Sequence, residues 1–166
     1  IGAKDKDVAR WMAVREEIAA DIWSSGARND GALAQSYGSR DLDASLLLLA
    51  WLQFGKTAAS DGMKLTVARI RVELAETQGL LYRTSSFRAR EGTFSVCGFW
   101  LVLALLAQGD GDEARATFDA TCAAANDLGL FSEELDPRSG RFLGNFPQSF
   151  VHSSLVIAAA ALDHMP

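Results

Sequence analysis

Apolar residues recur at helical spacing in six stretches of the chain, and two kinds of stretch alternate. In one kind, apolar residues fill one side and charged residues the other, which predicts amphipathic helices on the outside of a domain. In the other kind, apolar residues fill nearly every side, which predicts helices buried on most sides. The amphipathic stretches cover about residues 5–23, 61–76 and 112–126, and the apolar stretches cover about 43–54, 94–108 and 148–162.

Each amphipathic stretch has an apolar side that we expect to pack on the inner helices. In the first stretch this side consists of Val8, Trp11, Met12, Ile18, Ile22 and Trp23. The second stretch supplies Leu65, Ala68, Ile70 and Leu74, and the third supplies Ala114, Phe118 and Cys122.

Long loops rich in small and polar residues precede the apolar helices, at 24–41, 77–93 and 127–148. The connections that leave these helices, at 55–61 and 109–112, are short, so the long loops gather at one end of the inner layer. Three pairs of outer and inner helices predict an all-α fold, an α/α toroid that is about half of an (α/α)6 barrel. Its open edges would expose apolar surface, and we expect the missing half of the domain or a second copy to cover them.

A turn signal stands in the third long loop, where "DPRSG" places proline at the second position of a type I turn and glycine after it. Its flanks predict a small hairpin before the last helix. Because side chains alternate along a strand, we expect one of the neighbours Glu133 and Glu134 to point inwards and the other outwards.

Composition and charge narrow the range of partners. The chain has 166 residues, of which 16 are basic and 21 acidic, for a net charge of −5. This balance argues against nucleic acid, which binds basic surfaces, and the longest apolar run, 44–54, is too short to span a membrane. Since the start of the chain is polar and resembles no signal peptide, we expect a cytoplasmic protein. The first residue is isoleucine, which indicates a piece of a longer protein.

The cysteines and histidines predict no metal site and no cofactor. Cys97 and Cys122 both fall in apolar helical patterns, so we expect reduced, buried thiols rather than a disulfide. The only histidines, His152 and His164, form no metal-ligand spacing with them.

The long loops carry acids, aromatic residues, amides and arginines, a mixture that suits a neutral polar ligand such as a sugar. Carboxylates bind hydroxyls and perform acid–base chemistry, and aromatic rings cover the less polar faces of a sugar. Structural roles remain the alternative for several of these residues. Tyr37 could close its loop, Arg83 could be a surface charge, and His152 could be a satisfied core histidine. Asp43 is well placed to cap the second helix.

Several segments, in order, resemble the C-terminal half of the catalytic domain of glycoside hydrolase family 15, the glucoamylase-like enzymes that include some trehalases. The resemblance covers about Asp7 to Leu162 and rests on "QSYGSRDLDAS", "LLYRT", "REGTFSVCGFW", "LFSEELDP" and "FVHSSL". It implies that residues 1–166 are the C-terminal part of an (α/α)6 catalytic domain. It also implies hydrolysis of α-glucosidic bonds with inversion.

Inverting glycosidases use an acid that protonates the leaving oxygen and a base that activates water, with the two carboxyl groups roughly 6.5–9.5 Å apart. The resemblance makes Glu133 of "LFSEELDP" the general base, with Glu134 as the second choice. The predicted substrate-binding residues are Arg83, Glu91, Glu134, Phe150, His152 and Tyr37.

The general acid of the family lies in a tryptophan–glutamate motif upstream of the matched half. The four tryptophans of this chain are Trp11, Trp23, Trp51 and Trp100, and none precedes a glutamate. Because proton donation to the leaving group contributes roughly a hundredfold to ten-thousandfold, we expect this chain alone to be inactive or nearly so. Maltooligosaccharides or related α-glucosides are the expected substrates. Trehalose is the alternative within the family, and a non-catalytic helical interaction module is the alternative of another class.

Overall fold

Helices account for most of the described structure, which comprises residues 2, 4–54, 59–77 and 79–164 of a computed structural model of the chain. The expected short connection at 55–61 lies partly outside these residues. No described helix is long and apolar enough to cross a membrane. The helices are α1 (Asp5–Ser25), a 3₁₀ turn (Ala44–Leu46), α2 (Leu47–Trp51), α3 (Asp61–Glu73), α4 (Ser95–Ala107), α5 (Gly111–Cys122) and α6 (Ser149–Asp163).

Helix α4 is the centre of the described structure, because it packs against α2, α5 and α6. Most of its side chains are buried, which confirms the prediction for the apolar stretch at about 94–108. In the core, the ring of Phe99 lies 5.8 Å from that of Phe118 on α5 and 5.5 Å from that of Phe131. A Cβ atom on Gly98 would lie 2.4 Å from the carbonyl oxygen of Gly79, so glycine is needed where the two backbones approach.

Helix α1 confirms the first predicted helix and extends it by one turn or less. Much of its apolar side is nevertheless open to solvent: Trp11 and Met12 are 54% and 59% exposed, and Ile18 is also exposed. Trp23, near the end of the helix, packs against the core. The expectation that this whole side faces inwards is therefore wrong for the described residues, which leave its first part uncovered.

The apolar stretches at about 43–54 and 148–162 also depart from the sequence-based expectation. Asp43 caps the second helix as predicted, since its Oδ1 accepts a hydrogen bond of 2.8 Å from the Ser45 amide. That helix begins as a 3₁₀ turn and ends at Trp51, because Gln53 adopts a positive φ of 49° that interrupts the helix. Helix α6 matches its predicted bounds but exposes Val156 and Ile157. Burial on nearly every side is therefore wrong for it, whereas the expectation that an inner helix exposes apolar surface is confirmed.

Helix α3 is shorter than predicted, and its buried side is shifted. Ser60 caps it by accepting a hydrogen bond of 3.2 Å from the Met63 amide. Of the expected inward residues, Ile70 and Leu74 are buried, whereas Ala68 is exposed. The helix ends at Glu73 because the chain turns into the first strand of a sheet. The buried residues within α3 are Met63, Thr66, Val67 and Ile70.

A small antiparallel sheet joins the second and third long loops, which an all-α prediction with one hairpin does not anticipate. Its five strands follow each other in chain order. Strands of two or three residues are too short to show an alternating pattern in the sequence. They are β1 (Ala75–Thr77), β2 (Leu80–Leu81), β3 (Thr93–Phe94), β4 (Glu134–Leu135) and β5 (Phe142–Leu143).

The predicted hairpin is confirmed as the pair β4 and β5, in which Glu134 pairs with Leu143. Asp136 closes the turn. Its Oδ2 accepts a hydrogen bond of 2.5 Å from the Ser139 hydroxyl, and its Oδ1 accepts one of 2.9 Å from the Arg138 amide. These bonds favour the ionised carboxylate, so the Ser139 hydroxyl and then the Arg138 amide lower the pKa of Asp136. The hairpin thus holds the preceding glutamates in a fixed register.

Candidate active site

A cleft of about 410 Å³ opens where the ends of the sheet meet the first turns of α4 and α6. Its wall combines a loop that bears Arg83 and Glu91, a segment that bears Glu133 and Glu134, and aromatic side chains from both helices. This combination of carboxylates and aromatic rings suits a polar ligand with apolar faces. The lining residues are Arg83, Glu91, Phe94, Val96, Cys97, Trp100, Glu133, Glu134, Gln148, Phe150 and Val151.

Glu133 is fixed in this wall by its backbone and by one carboxylate oxygen. Its amide donates a hydrogen bond of 2.9 Å to the carbonyl of Asn145, and its carbonyl accepts one of 3.2 Å from the amide of Ser95. Oε2 accepts bonds of 3.1 Å and 2.8 Å from the backbone and side-chain nitrogens of Asn145. Within the described residues, Oε1 has no hydrogen-bond partner, so one oxygen of a held carboxylate remains free to accept a proton.

Glu134 borders the same cleft but has a different partner. Its Oε2 accepts a hydrogen bond of 2.9 Å from the amide of Gly92, in the loop that leads into β3. Its carbonyl accepts one of 2.6 Å from the hydroxyl of Ser132. Both glutamates line the cleft, and the expectation that one side chain points inwards and the other outwards stays a prediction. The carboxylate of Glu134 ties two loops together, whereas that of Glu133 is held from one side only.

Arg83 and Glu91 face each other across the loop between β2 and β3. One guanidinium nitrogen of Arg83 lies 3.2 Å from Oε1 of Glu91, and the guanidinium carbon lies 5.4 Å from the centre of the Phe94 ring. Both charged side chains are partly exposed, so the attraction between them is screened by water. The pair offers donors and acceptors at the rim of the cleft.

Two aromatic rings form the apolar side of the cleft. Phe150, on the first turn of α6, is 56% exposed, and its ring meets that of Trp100 edge-on at 5.9 Å. The sequence-based predictions include Phe150 but miss Trp100, which stands in an unbroken apolar helix with no polar neighbour to mark it. Gln148 is one of the amides that the third long loop contributes to the predicted sugar-binding mixture, and it also lines the cleft.

His152 and Tyr37, two further predicted residues, are not among the residues that line the cleft. The Nδ1 atom of His152 lies 2.8 Å from the carbonyl oxygen of Gln148, and its ring packs edge-on against Phe131. Its buried Nε2 has no hydrogen-bond partner among the described residues. Tyr37 lies after α1, where its hydroxyl donates a bond of 2.6 Å to Asp21. The pKa of the Tyr37 hydroxyl is raised, chiefly by its hydrogen bond to the Asp21 carboxylate and secondly by burial.

Both cysteines are free thiols, as predicted, although Cys122 is only partly buried. Burial, and then the charge of Asp43, raises the pKa of Cys97, so at neutral pH this cleft residue is a protonated thiol and a poor nucleophile. Among the described residues, no three histidine, cysteine or acidic side chains are grouped so that they could hold a metal ion.

Comparisons with known proteins agree with one another. The trehalase of Mycolicibacterium smegmatis is 41% identical over 155 residues, which are 90% of this chain and 23% of that protein. The trehalase of Thermoplasma volcanium is 34% identical over 162 residues, which are 94% of this chain and 26% of that protein. The chain therefore spans about a quarter of the length of these curated relatives.

Solved glycosidase structures share the fold. A wild-type glycosidase superposes with a TM-score of 0.81 at 22% identity, over 95% of this chain and 45% of that one. A glycosidase variant in complex with glucose gives a TM-score of 0.78 with the same coverage. The sequence profile of the glycosyl hydrolases family 15 matches residues 2–160. Since this match covers nearly the whole chain, the protein belongs to family 15 of the glycosyl hydrolases.

Proposed function

We propose that this chain is the base-carrying part of an inverting α-glucoside hydrolase whose substrate is α,α-trehalose. The observation that carries the proposal is the carboxylate of Glu133, which lines a cleft with Oε2 held by Asn145 and Oε1 free. A general base needs this arrangement, because it must be oriented and still have an oxygen available for the proton of water. The family supports the reaction class, and the motif "LFSEELDP" supports the assignment to Glu133.

We place trehalose ahead of maltooligosaccharides as the proposed substrate. The resemblance in the sequence places maltooligosaccharides and related glucosides first, with trehalose as the alternative. Relatives from a bacterium and an archaeon, at 41% and 34% identity, are both named trehalase. Maltooligosaccharides remain the second candidate, because the glycosidase of similar fold was solved with glucose, which is a unit of either substrate.

The proposed reaction uses Glu133 as a base and needs an acid from elsewhere. As the oxygen of a water molecule forms a bond to the anomeric carbon, Oε1 of Glu133 takes a proton from that water. The bond between the anomeric carbon and the glycosidic oxygen breaks, and a general acid gives the leaving oxygen its proton. We assign that acid to a part of the protein outside residues 1–166. Arg83 and Glu91 would bind sugar hydroxyls, and Phe150 would cover a face of the ring.

We further propose that the chain forms the C-terminal half of an (α/α)6 barrel. In this arrangement α1, α3 and α5 are the outer helices and α2, α4 and α6 the inner ones. Contacts of α4 with both α2 and α6 support it. The exposed apolar residues of α1 and α6, among them Trp11, Ile18 and Ile157, lie on the two elements at the ends of the series. The rest of the same domain would cover both surfaces and complete the cleft.

A substrate panel tests the proposed function. We expect the complete protein to hydrolyse trehalose with a kcat/KM at least about tenfold higher than for maltose or isomaltose, because a gap of roughly 1.4 kcal/mol in transition-state binding already gives that ratio. Glucose release is the measurement. A clear preference for maltose would return the assignment to a glucoamylase-like substrate. Absence of turnover on all three sugars, with a folded protein, would instead favour the interaction module.

A further inference from the structure

We infer that Asn145 is a positioning residue for the base, an inference that rests on the proposed role of Glu133. Asn145 is the only described residue that donates hydrogen bonds to this carboxylate, and it donates two, both to Oε2. Its carbonyl oxygen also accepts the bond from the Glu133 amide. Asn145 therefore fixes the backbone of Glu133 and its Oε2 atom. It leaves Oε1 free to accept the proton of the attacking water.

The neighbouring backbone restricts the carboxylate further. A Cβ atom on Gly144 would lie 2.8 Å from Oε2 of Glu133 and 3.0 Å from its Cβ. Gly144 also adopts a positive φ of 69°, a conformation that glycine reaches without strain. The loop thus passes against the side chain of Glu133 so closely that the carboxylate has little room on that side. The carbonyl oxygen of Glu133 accepts a hydrogen bond from the amide of Ser95, the first residue of α4. The backbone of Glu133 is therefore anchored to a rigid helix.

This geometry sets the direction in which the base can act. Hydrogen bonds to one oxygen of a carboxylate fix the direction of the other, and a small misplacement of a catalytic group can cost roughly a hundredfold in rate. Removing the side chain of Asn145 should therefore lower kcat, whereas sugar contacts elsewhere in the cleft keep KM similar.

The test compares Asn145→Ala and Asn145→Asp with Asn29→Ala in the complete protein. Asn29 is a matched control because it lies in a loop after α1 and does not line the cleft. We expect Asn145→Ala to lower kcat by roughly tenfold to a hundredfold with a KM within about threefold of wild type. Asn145→Asp keeps the size of the side chain but loses its N–H donors, so we expect its kcat to fall at least as far as that of Asn145→Ala, again with KM little changed.

The outcomes separate this inference from the proposed function. Glu133→Gln is measured alongside: if it retains full activity, the proposed base is wrong and the inference falls with it. If Glu133→Gln is inactive but both Asn145 variants keep the wild-type kcat, only the inference is overturned. A loss of kcat together with a lower melting temperature and a comparable rise in KM would also overturn it, because that pattern indicates a structural role. Should the aspartate variant fail to fold, Asn145→Ala and Asn145→Ser carry the same test.

Discussion

Glu133→Gln in the complete protein is expected to lower kcat by about a hundredfold to ten-thousandfold, the range that a positioned acid or base supplies. The amide oxygen of the new side chain can still accept both bonds from Asn145, so the fold should be unaffected. What disappears is the free oxygen that takes the proton from water. Trehalose hydrolysis followed by glucose release measures the effect, and calorimetry should give an unchanged melting temperature.

Glu134→Gln is the matched comparison, one residue further along the chain. Its amide oxygen can keep the bond from the Gly92 amide, so the loop that leads into β3 stays in place. We expect this variant to retain more than about a tenth of the wild-type kcat, because an isosteric change away from the reacting atoms removes little transition-state stabilisation. If Glu134→Gln is the inactive variant and Glu133→Gln is active, the two roles are reversed.

Phe99→Ala is expected to give the largest loss of stability in the described part of the chain. Phe99 is fully buried on α4 and packs against the rings of Phe118 and Phe131. Truncation leaves a cavity at the point where helices and site meet, which costs about 3–5 kcal/mol of unfolding free energy. Urea unfolding of the complete protein, followed by tryptophan fluorescence, measures it, since Trp100 is the next residue along the chain.

Phe87→Ala is the control for this substitution, because Phe87 is partly exposed in the loop between β2 and β3. Its truncation should cost less than about 1 kcal/mol. Equal losses for the two variants would mean that the centre of the core does not lie around Phe99. A large loss for Phe99→Ala alone would support α4 as the element on which the site is built.

The parts of the fold that follow from hydropathy are well predicted by the sequence. Helix α4 is apolar on nearly every side and most of its side chains are buried, and the turn in "DPRSG" produces the hairpin β4–β5. The Asp43 cap also follows from local chemistry alone. These features depend on residues close to each other in the chain, so the pattern carries enough information to specify them.

The features that sequence patterns miss depend on distant or absent neighbours. Open edges with exposed apolar surface are expected, but the apolar pattern does not show that Trp11 and Ile157 are among the exposed residues, because burial depends on an opposite surface that the described residues do not supply. The sheet escapes prediction because each strand has only two or three residues. Trp100 and Phe150 belong to different helices and meet only after folding.

Some residues of the candidate site can likewise be predicted from the sequence, and others become apparent only in the structure. A family resemblance points to Glu133, and the structure places it with Glu134, Arg83, Glu91 and Phe150 along one cleft. The role of Asn145 depends on a contact between residues twelve positions apart, and no spacing rule indicates such a contact. Positioning residues of this kind become visible only when the hydrogen bonds of the base are known.

The anomeric form of the first product tests most directly whether Glu133 activates water rather than attacking the sugar. Both anomeric carbons of α,α-trehalose have the α configuration, and inversion changes only the carbon that water attacks. Proton NMR in the first minutes of hydrolysis by the complete protein should therefore show equal amounts of α- and β-glucose. Release of α-glucose alone, before mutarotation, would mean retention through a covalent intermediate and would contradict a general-base role for Glu133.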